Sequence, residues 1–575
     1  MAAQANDPGG AEGPGPGRRR VLGLAAALAS APPWLGTASA ASASASAAST
    51  APAGSAGAAR EYGLDVCAEN SLPGARDWRI TRVGAARAIE GFADRVSVCS
   101  GEAFGLRVST TSASYTVSAY RMGWYGGARA RLVWRSAVLP GVLQPSARLD
   151  AGTRMARTEW RTTTEVDTSG WPEGSYLLRL DSGDGRAQRF VPVTVRSPSL
   201  SPSLSPSLSP SPSPSAAGRV VVVNSVATWQ AYNRWGGADL YKGTTGKKGS
   251  RSLQVSFDRP YLGGQGAGQF FVYEAPLIAL AERMGLELAY ATGVDVAREP
   301  GLLRGARAML SLGHDEYWSP EQRRHVTEAR DAGMNLAVFG ANCCYRRVRF
   351  EGSAVGDDRI VVCYKDDYAA DPGFRRGQPP TNDFRRKPSP DPESSLLGVI
   401  YDGYPVDAPY VVTHPGHWLL AGTGVRPGDS FPHLVGVEFD RVNPAHPTPR
   451  PVEILAHSPV VCKGRPSYAD TAYVSLPGGA GVFATGTMRW VEALDVGADD
   501  GEGGGETGNG VGAGGVGVGV GKGPHGLDAR AGAFTRTVTA NVLRAFAQGP
   551  AGRARPAHDN VGVHYGDETA AVPGA

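Results

Sequence analysis

Apolar and polar residues alternate along 103–110, 115–120, 176–180 and 189–195, the two-residue period of strands with one buried face. The run Asp181-Ser182-Gly183-Asp184-Gly185 separates the last two with residues that favour tight turns. Short strands at this spacing predict an all-β sandwich over 60–196. Beyond residue 217 the pattern changes. A β-branched strand over 219–223 ends at Asn224. Residues 275–284 carry apolar side chains at helical spacing and stop at Gly285, and 286–291 and 306–312 are again buried-strand runs. Ser319 caps a following helix, Pro320 suits its first turn and Gln322 closes a capping box; Gly333 ends it and 336–339 is the next strand. Apolar strands alternating with helices predict β-α-β units on a parallel sheet, hence an α/β domain over 217–548 preceded by the all-β sandwich domain.

Composition adds boundaries. The chain has 575 residues, with 41% hydrophobic and 19% charged, enough for buried cores and too apolar for wholesale disorder. Glycine supplies 78 positions without a triplet period, which excludes collagen. A net charge of +4 spread along the chain gives no basic stripe for nucleic acid. Arg18-Arg19-Arg20-Val21-Leu22-Gly23-Leu24, an apolar stretch and Ala38-Ser39-Ala40 read as an export signal peptide over 1–40, of twin-arginine type. The mature chain is therefore expected outside the cell, without a membrane span. Residues 41–59 are Ala/Ser/Gly-rich and expected to be disordered. A Ser/Pro repeat over 197–216 reads as an extended linker, 497–525 as a Gly-rich insertion and 549–575 as a polar tail. Six cysteines occur without a CxxC pair, which argues against a zinc ribbon. In an oxidising compartment, Cys344 after one strand and Cys363 at the end of another are expected to bridge, as are Cys67 and Cys99.

The candidate chemistry lies where α/β sheets bind ligands, beyond the carboxyl ends of strands. One strand leads into Gly313-His314-Asp315-Glu316-Tyr317-Trp318, another into Gly340-Ala341-Asn342-Cys343-Cys344-Tyr345. Three ionisable groups in succession after a buried strand must be solvated, paired or bound to a metal. An acid-rich helix start with a satisfied turn histidine is the plainer alternative. The first strand leads to Tyr232 and Tyr241, which packing alone would also explain. Tyr120-Arg121-Met122-Gly123-Trp124-Tyr125-Gly126-Gly127 reads either as a strand ending in a tight turn or as a sugar- or partner-binding surface. Asp366-Asp367 and Asp315-Glu316 are neighbours in sequence, which does not supply the facing carboxylates of a glycosidase.

The stretches TWQAYN with WGGADLY, LSLGHDEYWSPEQRRHV, NLAVFGANCCYRRVRF, VVCYKDDYAADPGF, LVGVEFDR and GAGVFATGTMRWV together resemble the large, catalytic subunit of N,N-dimethylformamidase and related exported proteins. They spread over about 220–495, and AYRMGWYGGARARL is similar to the β-domain that accompanies this catalytic domain. The resemblance implies a fold similar to class I glutamine amidotransferases and an amide hydrolase with mononuclear iron (Fe3+). Its implied ligands are Glu316, Tyr232 and Tyr241, with Tyr261 and Tyr273 as alternatives for the second tyrosine. Hard anionic oxygens suit such a cation. His314 and Asn342 are then orienting or transition-state donors, Glu438 the proton acceptor with Glu453 behind it, and Lys365 a further pocket residue, unless it is a surface lysine. No Gly-x-Cys-x-Gly elbow is present, which disfavours a thiol nucleophile. The expected partner is a small amide or polymer-derived substrate, and homo-oligomerisation is left open. A secreted enzyme acting on carbohydrate or another polymer, and a non-catalytic surface-binding protein on the same scaffold, are the competing readings.

Overall fold

Val220–Asn224 forms a strand because four consecutive valines can be buried on both faces of a central sheet. In the computed structural model, which describes residues 64–197, 216–498 and 523–566, it lies second in a seven-stranded sheet. The strand order is Leu288–Thr292, Val220–Asn224, Ala308–Ser311, Asn335–Val338, Gly481–Ala484, Arg465–Ser475 and Val452–Cys462. The first five run parallel, while Arg465–Ser475 pairs antiparallel with both Gly481–Ala484 and Val452–Cys462, so the sheet is mixed rather than wholly parallel as the β-α pattern predicts. The chain as a whole is mostly β, with several sheets and a smaller helical share. Val222, Leu310 and Phe483 point into one core, and Val221, Met309 and Val482 into the core on the opposite face.

Strands in the N-terminal region build two main sheets, beside a short pair formed by Arg148–Leu149 and Ala156–Arg157. Ile89–Ala93, Ala103–Thr110 and Thr164–Asp167 form one; Ser97–Cys99, Gln188–Arg196, Gly174–Ser182, Ser114–Met122 and Ala130–Arg135 run through the other. Phe104, Leu106 and Val166 of the first share a core with Val117, Leu178 and Val193 of the second. The run around Tyr120 is the strand ending in a turn, with Gly126 and Gly127 at positive φ. Its side chains face the rest of the protein: Arg121, fully buried, pairs with Glu282 and accompanies the buried Tyr120, Met122 and Tyr125. A Cβ at Gly123 would lie 2.0 Å from Glu282 Oε2, so only glycine admits this approach.

Further bonds join the two regions. Ser175 and Thr194 donate to Asn224 Oδ1, Arg219 pairs with Glu173, and Trp235 Nε1 donates to Glu90. Residues of the expected tail pack as well: Val452 N–H donates to Asp559, and Asn560 bonds Ile454 in both directions.

Neither expected disulfide forms. Cys344 lies in the core on one face of the main sheet and Cys363 in the core on the other, so the sheet separates them. Cys67 is exposed beside Gly285, whereas Cys99 is buried in its strand. The export signal, segment 41–59, nearly all of the Ser/Pro linker and the Gly-rich insertion, and the end of the tail lie outside the described residues. Among the described residues no helix is long and apolar enough to cross a membrane.

Candidate functional site

Three side chains meet beyond the carboxyl ends of the parallel strands. Val220–Asn224 runs directly into the short helix Val226–Ala231, and Tyr232 is its C-terminal cap. Tyr241 follows a turn in which Asp239 accepts the backbone N–H groups of Tyr241 and Lys242. Glu316 lies past Ala308–Ser311, and its carbonyl accepts from the Tyr345 and Arg346 N–H groups. Tyr232 Oη is 2.8 Å from Tyr241 Oη and 2.6 Å from Glu316 Oε2. Tyr241 Oη is 2.7 Å from both Glu316 oxygens. The Glu316 side chain is 1% exposed.

The other sequence candidates surround this cluster. His314 Nε2 stands 3.4 Å from Glu316 Oε2, and its ring packs against Tyr232 and Tyr273. Asn342 Nδ2 donates to Glu438 Oε2 at 2.8 Å, and its backbone N–H donates to Asp440. Lys365 is no surface lysine: it is buried, with Nζ 3.5 Å from the centre of the Tyr241 ring. Among the described residues Asn342 Oδ1 is buried without a hydrogen-bond partner, whereas His314 Nε2 has the Glu316 carboxylate beside it. Asn342, Cys344 and Lys365 all have positive φ; asparagine tolerates it, whereas for cysteine and lysine it costs about 1–2 kcal/mol, and such strain recurs at functional sites.

Charge divides the acids by role. Burial would raise the Glu316 carboxyl, but the His314 hydrogen bond and the charges of Arg346, His314 and Lys365 hold it down to about 2. Burial pushes Glu438 up to about 7, with His314 opposing and Glu316 adding. Burial also pushes Lys365 down to about 7, helped by Arg346. One carboxylate is thus a fixed anion, while a second can exchange a proton near neutrality. Tyr232 and Tyr241 lie well above the ordinary phenol range because of burial and the Glu316 charge. A cation among these oxygens would reverse that direction. Burial pushes the Cys344 thiol up to about 12, against a role as nucleophile.

Not every expected residue joins the cluster. Tyr261 packs on Trp229 instead, and Glu453 lies between His414 and His417, 3.5 and 3.6 Å away. Asp366 and Asp367 are half-exposed and paired with Arg386 and Arg251. Sequence reasoning overlooked Arg346, 3.4 Å from Glu316, and Tyr317, whose Oη donates to Tyr241 Oη at 2.8 Å. Arg346 sits in an arginine-rich run that reads as surface. Tyr317 could have been found, since it stands beside Glu316 within the same motif.

Among the described residues no three His, Cys, Asp or Glu side chains gather as a metal site. The cluster found here is different, with two phenols and one carboxylate. No curated protein matches the sequence. Residues 116–504, more than half the chain, match the family described as N,N-dimethylformamidase beta subunit-like, C-terminal, a stretch that begins in the N-terminal sheets and runs through every residue of the cluster. The chain belongs to the N,N-dimethylformamidase beta subunit-like family.

Proposed function

We propose that the protein is an exported, iron-dependent hydrolase of amide C–N bonds. The convergence of Tyr232, Tyr241 and Glu316 carries this reading. Three acidic oxygens this close repel one another as anions unless protons or a cation lie among them. Their hardness suits a ferric ion, and the buried Asn342 Oδ1, without a partner among the described residues, suits a bound ligand. Strand ends rich in chemistry on five parallel strands support a fold similar to class I glutamine amidotransferases. The Arg18–Arg20 run ahead of an apolar stretch supports export.

Tyr232, Tyr241 and Glu316 would hold the iron. When bound, it supplies a Lewis acid for a carbonyl and lowers the pKa of water. Glu438 accepts the proton of the attacking water at Oε2 and returns it to the leaving amine, as its pKa of about 7 allows. Asn342 holds that carboxylate and directs its own amide to the site. His314 keeps the Glu316 carboxylate oriented through Nε2. Lys365 offsets negative charge across the face of Tyr241.

Metal analysis and visible absorption of the purified protein, with a screen of small amides, test the reading. Stoichiometric iron, a tyrosinate charge-transfer band and amide turnover are expected. A colourless, iron-free protein that leaves every amide intact overturns it.

A further inference from the structure

The geometry points to Tyr317 as a positioning residue that donates a hydrogen bond to the Tyr241 oxygen and makes the two iron-binding tyrosines unequal. The inference rests on the iron reading above. Three phenol oxygens lie in the cluster, yet they are not equivalent. Tyr232 and Tyr241 each reach the Glu316 carboxylate. Tyr317 Oη instead meets Tyr241 Oη at 2.8 Å. Its ring stands edge-on to both other tyrosines, at interplanar angles of 86° and 88°. Its backbone is fixed by a bond from its N–H to Thr228 Oγ1 and by parallel pairing of Tyr317–Trp318 with Arg346–Arg347. At 1% exposure it has no access to water as a substitute partner.

With Tyr232 and Tyr241 holding a cation, the Tyr317 hydroxyl would donate to the Tyr241 oxygen, as it does here. A donor there stabilises electron density on that oxygen. Lys365 lies over the ring of Tyr241, so a second positive influence falls on the same tyrosine. Tyr232 has the His314 ring against it instead. Tyr241 should therefore be the weaker electron donor of the two.

Tyr317→Phe tests this. Iron should remain stoichiometric at saturation, its apparent affinity should fall roughly 10-fold, and the charge-transfer band should move to longer wavelength as Tyr241 becomes the stronger donor. An unmoved band overturns the inference, and loss of iron at saturation overturns it in favour of Tyr317 as a ligand. Resonance Raman of the wild-type protein needs no variant: a tyrosinate C–O stretch should shift in D2O, and an unshifted stretch also overturns the bond. Wild-type protein without iron or band sinks the iron reading and this inference together, whereas a normal wild-type band unchanged by Tyr317→Phe sinks the inference alone.

Discussion

Replacing Glu316 by glutamine keeps the volume of the buried side chain, removes its charge and turns one acceptor oxygen into a donor. Iron content should collapse while circular dichroism stays that of the wild type, because no element of the main sheet depends on that charge. Asn342 calls for a subtler substitution. Its φ of 58° is left-handed, so Asn342→Ala would add strain of about 1–2 kcal/mol to the loss of a donor. Asn342→Gly removes the donor without that strain. It should retain iron and lower kcat by about 10²–10³ if the amide stabilises the transition state; an unchanged kcat would remove Asn342 from the chemistry. At this scale the sequence revealed much of the centre, because Tyr232, Tyr241, Glu316, Asn342 and Lys365 stand in compact motifs. It hid Arg346 among arginines, and it could not show that Glu453 lies apart from Glu438, since which strand end approaches which is decided by pairing between distant strands.

Helix Pro320–Asp331 shows how closely local signals set an element. Ser319 Oγ accepts the Gln322 N–H as a cap, so Ser319→Ala should lower stability by about 1 kcal/mol, read from the denaturant midpoint. The reciprocal half of the expected capping box does not form: the Gln322 amide is buried against Gly293, held by tertiary packing rather than by the helix end. Strand positions were legible from periodicity, as Ala103–Thr110 shows, because alternation is a local property. The antiparallel strands Val452–Cys462 and Arg465–Ser475 on the main sheet were not, since a run of apolar residues carries no direction. The absent Cys344–Cys363 bridge has the same origin: sequence gave nearness along the chain, while the sheet put the two thiols on opposite faces.

Across the whole molecule, buried charge joins what the Ser/Pro run divides in sequence. Glu282 pairs with Arg121 and also accepts from Tyr290 and Asn70. Glu282→Ala leaves Arg121 buried without its anion and should cost about 3–5 kcal/mol; adding Arg121→Met should recover part of that loss. Full additivity of the two would argue against the pair. Stability should also depend on pH. Burial raises Glu274 to about 8 and Glu492 to about 7, from 4.5. The folded state then holds protons that the unfolded chain has released, so their stabilisation is full below about pH 4.5 and is lost as pH rises through about 7 to 8. Melting temperature should fall over that window in a metal-free sample, and Glu492→Gln should flatten the slope up to about pH 7.

The Arg121–Glu282 pair also sets an order of events during synthesis. Strand Ser114–Met122 leaves the ribosome some 160 residues before the glutamate that neutralises its buried arginine, and the chain is made at roughly 5–20 residues per second. For many seconds the N-terminal sheets carry an uncompensated guanidinium, which favours water over burial. Their final packing must therefore wait for the region beyond the Ser/Pro run, so the two regions mature as one cooperative unit even though translation delivers them in succession.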